Sequence, residues 1–281
     1  MTQPHRPSAV AGRFYPAGAA ALRAEVQRLL DAVDAGSDAA APAPKMLVVP
    51  HAGYVYSGAV AAHAYARLAR RRRQYRRVVL LGPAHHAALR GLALPEAAAF
   101  DTPLGAVPVD AEACARAAAL PQVVRSDAVH AHEHALEVQL PFLQTVLDRF
   151  TLVPLAVGQA PAEAVAEVLE RLWGGGETLI VISTDLSHYL GYGPARVADA
   201  QTVRQILQPG PAITHEQACG ATPLNGALLA ARRRGLQPRL LDLRNSGDTA
   251  GDRSRVVGYA ALVFAPGQAA MPAEADVDAV C

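Results

Sequence analysis

Hydrophobic residues along the chain fall into short continuous runs separated by amphipathic segments. Runs that are apolar at nearly every position are typical of strands covered by helices on both faces of a sheet. Such runs predict strands at Lys45–Pro50, Arg77–Leu81, Thr151–Val157, Thr178–Ser183, Gln237–Leu243 and Val256–Phe264.

Between these runs the apolar residues recur at helical spacing. The predicted helices are Ala20–Val33, Ser57–Arg70, Ala111–Ala119, Glu137–Arg149, Pro161–Leu172 and His215–Arg234. Strands that alternate with helices indicate crossover connections and a mainly parallel sheet, whereas Phe100–Asp110 reads as a β-hairpin. The predicted fold is α/β, a single domain with a mixed, mainly parallel sheet flanked by helices.

The expected domain spans residues 1–265, with a Pro/Ala-rich connector at 35–44 and a flexible carboxy-terminal tail at 266–281.

No stretch reaches the roughly 18 apolar residues that a membrane-spanning helix needs, and residues 1–30 lack the pattern of a secretory signal. The formal charge of +1 argues against a nucleic-acid binder. Three scattered cysteines are too few for a disulfide framework. We therefore expect a cytoplasmic protein without membrane or nucleic-acid partners.

Histidines follow the ends of three predicted strands: His51, the pair His85 and His86, and His188. In parallel sheets the loops at the carboxyl ends of strands share one edge, where ligands bind. These side chains are therefore expected to converge, with Asp185 nearby. Neutral imidazoles are good ligands for divalent transition metals, so the pattern predicts a metal site at this edge.

Asp185 and His188 are three residues apart, a spacing that would place both on one face of a first helical turn. His188 could then serve as acid or base, with Asp185 orienting it or a ligand. The segment HAHEHALE offers two interpretations, a metal site formed by alternating histidines or the acidic first turn of a helix. We favour a cleft lined by Glu133 and His134, with His130 and His132 at the surface.

Cys219 stands before Gly220 in ACGATPLNG, and its neighbours leave open whether it is a small buried residue or a ligand.

The sequence motifs of several other kinds of active site are absent. The chain has no dinucleotide or nucleotide phosphate-binding loop, no nucleophile elbow and no HExxH helix.

Nine segments, taken together and in this order, resemble the Memo family, which is also called protein B of the AmmeMemoRadiSam system. They are PSAVAGRFYPAG, PHAGYVYSG, LGPAHH, FDTPLG, EHALEVQLPFL, PLAVG, STDLSHY, ACGATPLNG and VVGYAALVF. The resemblance implies a fold like that of class III extradiol dioxygenases. It also implies a metal site made by His51, His85 and Cys219, with Asp185 and His188 in the same cleft. Further residues expected to line the cleft are Tyr54, His86, Glu133 and His134.

A cysteine in place of the carboxylate of non-haem iron oxygenases changes the expected chemistry, because a soft thiolate favours copper, zinc or a differently poised iron. The resemblance thus favours a metal-dependent redox protein holding one iron or copper ion, with zinc possible. Its expected partners are radical S-adenosylmethionine and AMMECR-type proteins of the same system. The alternatives are a non-catalytic module that binds a peptide or small ligand in the cleft and, ranked last, a zinc hydrolase.

Overall fold

The computed structural model describes residues 4–34 and 42–267. The strands are β1 His5–Arg6, β2 Met46–Val49, β3 Arg77–Pro83, β4 Leu92–Leu94, β5 Ala99–Thr102, β6 Gly105–Pro108, β7 Val123–Arg125, β8 Thr151–Val157, β9 Thr178–Ser183, β10 His188–Leu190, β11 Leu236–Asn245 and β12 Val256–Pro266. The α-helices are α1 Ala19–Asp31, α2 Tyr54–Tyr65, α3 Ala111–Ala118, α4 Asp127–His130, α5 Leu140–Val146, α6 Ala162–Leu172, α7 Tyr192–Leu207, α8 Ala221–Arg233 and α9 Ser246–Thr249. Single 3₁₀ segments cover Ala66–Arg71 and Glu137–Gln139.

The main sheet is mixed, with a parallel centre. Its strand order is β10-β12-β2-β9-β3-β8-β4-β7, and β11 pairs with β12 outside this path. Strands β2, β9, β3 and β8 are parallel to one another, while β12 joins β2, and β4 joins β8, in antiparallel pairs. Strands β1, β5 and β6 form a smaller sheet that contains the predicted hairpin. The predicted α/β fold is confirmed.

Hydrophobic side chains of the central strands point alternately to the two faces of the sheet, as the two-residue period of a strand requires. Ile180 and Ile182 of β9 pack on one face against α3, α6, α7 and α8. Leu179 and Val181 pack on the other face against α1, α2 and α5. Because both faces of the central strands are covered by apolar side chains, the ends of these strands are where the sheet itself can present polar groups.

The predicted strands and helices are present, two strands with the predicted limits and the other elements with shifted ends. The helix predicted from His215 begins only at Ala221, and the one predicted at Glu137–Arg149 divides into a 3₁₀ turn and α5. Helix α7 escaped prediction because its buried face includes Asp199 and Thr202, which breaks the apolar periodicity. Strands β1, β4, β7 and β10 have only two or three residues, too few for a periodic signal.

Within the described ranges, no helix has the length and apolar character needed to cross a bilayer. Most of the predicted connector at 35–44 and nearly all of the predicted tail at 266–281 lie outside the described residues. The domain limits at 1–265 stay a prediction.

Candidate metal centre

The predicted convergence of strand ends is observed for His51 and His85, with Asp185 nearby as expected. His51 follows β2, His85 follows β3 and Asp185 follows β9, and these three strands are adjacent and parallel. Cys219 comes from a different element, the turn that precedes α8. Its Sγ lies 3.3 Å from Nε2 of His51, although 168 positions separate them in the sequence.

Among the described residues, the close group of potential metal ligands consists of His51, His85 and His134 and does not include Cys219. The ring centroids of His51 and His85 are 5.2 Å apart, and the ring of His134 stacks on that of His85 at 4.8 Å. One ligand atom from each of these histidines lies within 4.8 Å of the others. His134, expected only to line the cleft, thus holds the third position in this group, the position that the resemblance gave to Cys219.

His51 is buried and neutral. Burial is the main cause that lowers its pKa to about 3, and the neighbouring ring of His85 adds to the effect, so at neutral pH the ring of His51 has a nitrogen lone pair available for a metal. Its Nδ1 lies 2.9 Å from Oγ of Ser183, and its Nε2 faces Cys219.

His85 is held by the carboxylate of Glu133. Oε1 of Glu133 lies 2.9 Å from Nδ1 of His85, and Oε2 accepts from the backbone N–H of His85 at 2.6 Å. Burial pushes the pKa of Glu133 upward, but the hydrogen bonds from His85 and from the Ala135 backbone outweigh it and leave the pKa at about 2. The ionised carboxylate can only accept, so Nδ1 of His85 carries the proton and Nε2 is free to bind a metal.

Cys219 is a free thiol. Burial, and then the negative charge of Asp185, raise its pKa to about 12. Its Sγ lies 3.7 Å from the backbone oxygen of Asp185. A metal ion would have to displace the thiol proton, because the thiolate is the ligand.

Asp185 supplies a buried carboxylate beside His51 and Cys219. Its Oδ1 accepts from the backbone N–H of His51 at 2.8 Å, and its Oδ2 lies 4.0 Å from Nε2 of His51. Burial raises its pKa, while the hydrogen bond from the backbone N–H of His51 acts in the opposite direction. Asp185 and His188 do not share a helical turn: Asp185 lies in a loop, and His188 begins β10 opposite Val257.

Three expectations about neighbouring residues need correction or refinement. Tyr54 is buried against Tyr15 and Phe142 and donates to the Val138 carbonyl, so its side chain enters the core and does not line the cleft. His86 is exposed at the outer edge, with its ring centroid 5.9 Å from that of His134.

His130 was expected at the surface but is buried. Its Nε2 donates to the Ala93 carbonyl, and its ring packs against Phe100. His132 is exposed, as expected.

The segment that carries Glu133 and His134 is anchored by a buried ion pair. Arg6 pairs with Glu137 and also donates to the backbone oxygens of His130 and Glu133. The carboxylate of Glu137 further accepts from backbone N–H groups and from the hydroxyl of Tyr15. The charges are thus fully hydrogen-bonded, which is the condition for burying them.

Sequence reasoning missed two residues that contact the site. Ser183 ends the apolar strand TLIVIS, and Gln139 interrupts the apolar run LEVQLPF. Both are fully buried, and Nε2 of Gln139 donates to Oγ of Ser183 at 2.8 Å. A polar residue within an apolar run was the available signal, since buried polar groups require partners.

Comparisons with known proteins agree with this architecture. The family model described as Memo-like protein matches residues 6–263. A MEMO1 family protein of Methanopyrus kandleri is 35% identical over 285 residues, covering 93% of this chain and 99% of the relative. MEMO1 family proteins of Aquifex aeolicus (34%, covering 92% of this chain and 98% of the relative) and Metallosphaera sedula (32%, 92% and 99%) are similar over comparable lengths. The dioxygenase-like fold that the resemblance implied is confirmed, and the chain belongs to the Memo family.

Proposed function

We propose that this protein binds one transition-metal ion through Nε2 of His51, Nε2 of His85 and Sγ of Cys219, and that it works as a metal-dependent redox protein. The observation that carries the proposal is the 3.3 Å contact between Sγ of Cys219 and Nε2 of His51. Two donor atoms bound to one metal ion at ordinary bond lengths stand about this far apart.

The donor set fits iron or copper, and it also accepts zinc, because two imidazoles and a thiolate combine borderline and soft ligands. His134 is the neighbouring nitrogen donor, within 4.8 Å of both histidines. A bound iron or copper ion would supply one-electron chemistry and open positions for a small molecule.

Asp185 and His188 are proposed to handle protons for a molecule bound in the cleft. Burial of Asp185 raises its pKa, which favours a carboxyl group that can take up and release a proton. His188 is only partly buried, so it can exchange protons with solvent. If the protein is an enzyme, these side chains are its acid and base, and the activity is that of an oxidoreductase.

A second candidate function is a non-catalytic module that holds a peptide or small ligand in the same cleft. Its support is the exposed aromatic surface beside the site, where Tyr189 and Tyr56 are 64% and 41% exposed. Radical S-adenosylmethionine and AMMECR-type proteins are proposed as partners of either function, and a reducing cytoplasm would keep Cys219 a thiol.

The test is the metal content of protein purified anaerobically with reductant, in wild type and in His51→Ala, His85→Ala and Cys219→Ala. We expect near-stoichiometric iron or copper in wild type and a large loss in each variant. Cys114→Ala and His215→Ala serve as controls, since Cys114 is buried in the core and His215 is an exposed residue paired with Thr222. Wild-type protein that takes up no metal after reconstitution would favour the non-catalytic module.

A further inference from the structure

Ser183 is a fully buried hydroxyl at the carboxyl end of β9, and it contacts three polar groups. Its Oγ lies 2.7 Å from the carbonyl of Ala135, 2.8 Å from Nε2 of Gln139 and 2.9 Å from Nδ1 of His51. A hydroxyl has one hydrogen to donate and two lone pairs that accept. Its three contacts therefore use its full capacity.

Two backbone carbonyls determine the direction of these hydrogen bonds. The Ala135 carbonyl can only accept, so the hydrogen of Ser183 points to it. The amide of Gln139 also faces the carbonyl of Pro50 at 2.9 Å. Its NH₂ group must therefore lie on that side, with the second hydrogen directed at Ser183, while its oxygen accepts from the hydroxyl of Tyr65.

With its hydrogen committed to Ala135, the hydroxyl of Ser183 can only accept from the ring of His51. Nδ1 of His51 then carries the proton, and Nε2 keeps its lone pair toward Cys219. We infer that Ser183, held in place by Gln139, is a positioning residue that fixes His51 as the Nδ1–H tautomer and so presents Nε2 to the metal. The consequence for metal binding rests on the function proposed above, whereas the tautomer is a property of the protein without metal.

The other proposed histidine ligand, His85, is fixed in the same ring tautomer by a different group. Glu133 fixes His85 through its ionised carboxylate, whereas Ser183 is uncharged. Hydrogen-bond partners of metal-bound histidines set the ring tautomer, and their loss costs about 10- to 100-fold in metal affinity. The buried serine thus does for His51 what a carboxylate does for His85.

The first test is ¹⁵N NMR of the imidazole rings in metal-free, reduced protein, with the His51 signals assigned by their loss in His51→Ala. We expect a protonated Nδ1 and an unprotonated Nε2. A wild-type His51 protonated at Nε2 would overturn the inference, whether or not the protein binds metal. This measurement needs no variant of Ser183, so it can overturn the inference even if such a variant fails to fold.

The second test is Ser183→Ala, in which the Nδ1 hydrogen of His51 loses its hydroxyl acceptor. We expect the Nε2–H form to increase and the affinity for Zn²⁺, titrated anaerobically, to fall about 10- to 100-fold. Ser57→Ala is the matched control, because Ser57 is also a buried serine but donates to the Ala52 carbonyl. An unchanged tautomer and affinity in Ser183→Ala would refute the inference.

If wild type binds no Zn²⁺ but shows the expected tautomer, the proposed function fails while the positioning role stands. If wild type binds Zn²⁺ but His51 has the opposite tautomer in the metal-free protein, the positioning role of Ser183 fails while the proposed metal binding stands.

Discussion

His130 is a buried histidine outside the candidate metal site. Its Nε2 donates to the carbonyl of Ala93 at 2.9 Å, and its Nδ1 has no hydrogen-bond partner within residues 4–34 and 42–267. Burial is the main cause that lowers its pKa to about 4, and the nearby positive charge of Arg6 adds to the effect. The ring is therefore neutral in the folded protein at pH 7.

This burial makes folding sensitive to acid. The unfolded chain takes up the proton at an ordinary pKa near 6.5 and the folded chain only near 4. The contribution of neutral His130 to the free energy of unfolding is thus fully present above pH 6.5. It decreases by about 3 kcal/mol as the pH falls from 6.5 toward 4. In His130→Gln, which keeps a donor for Ala93, we expect a shallower decrease in unfolding free energy between pH 7 and pH 4, measured by urea denaturation.

His132→Gln is the matched control, since His132 is exposed and only two positions away. It should leave the pH dependence of unfolding as in wild type. An equally steep decrease in His130→Gln would show that protonation of His130 is not a source of the acid sensitivity.

At the residue scale, prediction succeeded where position in a strand decides the outcome. His51 and His85 follow adjacent parallel strands, so their convergence follows from the fold. Cys219 precedes a helix, and only the family resemblance indicated it. Ser183 and His130 were missed or misjudged because their burial depends on contacts with segments more than 30 positions away.

The loop that carries Asp185 and leads into His188 at the start of β10 is held in place by neighbouring elements. The backbone N–H of Leu186 donates to the Gly258 carbonyl, and the N–H of Gly258 donates to the carbonyl of Ser187. The buried carboxylate of Asp199 accepts from the N–H of Ser187 at 3.0 Å. Strand β12 and helix α7 therefore determine where the loop lies.

Gly258 is the contact point of this arrangement. A Cβ at this position would lie 2.1 Å from Oδ2 and 2.4 Å from Cγ of Asp199. Gly258→Ala should therefore displace the buried carboxylate and lower the unfolding free energy by about 1–3 kcal/mol, measured by urea denaturation. Gly193→Ala, in the first turn of α7 with nothing within 4 Å of its Cβ, should be neutral or slightly stabilising. Equal stability of the two variants would contradict this account.

Elements were predictable in proportion to how completely their buried faces are apolar. Strands β8 and β9 were predicted with their observed limits, because every one of their interior positions is buried. Helix α7 was not, because the buried Asp199 serves the loop and interrupts the apolar pattern. Asp199, which holds the loop of Asp185 in place, thus also removes the apolar pattern by which helix α7 could have been predicted.

At the scale of the whole molecule, the parallel order of β2, β9 and β3 collects donors from distant parts of the chain at one edge. The amino-terminal segment completes this edge, because Arg6 reaches the segment that holds Glu133. The overall architecture followed from strand and helix alternation. The antiparallel flanks and the role of the amino-terminal segment depend on tertiary contacts that have no local pattern.

The central claim is that His51, His85 and Cys219 hold one metal ion, and X-ray absorption at the zinc edge of zinc-loaded protein tests it most directly. The account predicts one sulfur ligand at about 2.3 Å and nitrogen ligands at about 2.0–2.1 Å from the ion. The sulfur signal should persist in Cys114→Ala and vanish in Cys219→Ala. A wild-type spectrum with nitrogen and oxygen ligands and no sulfur would contradict the proposed ligand set.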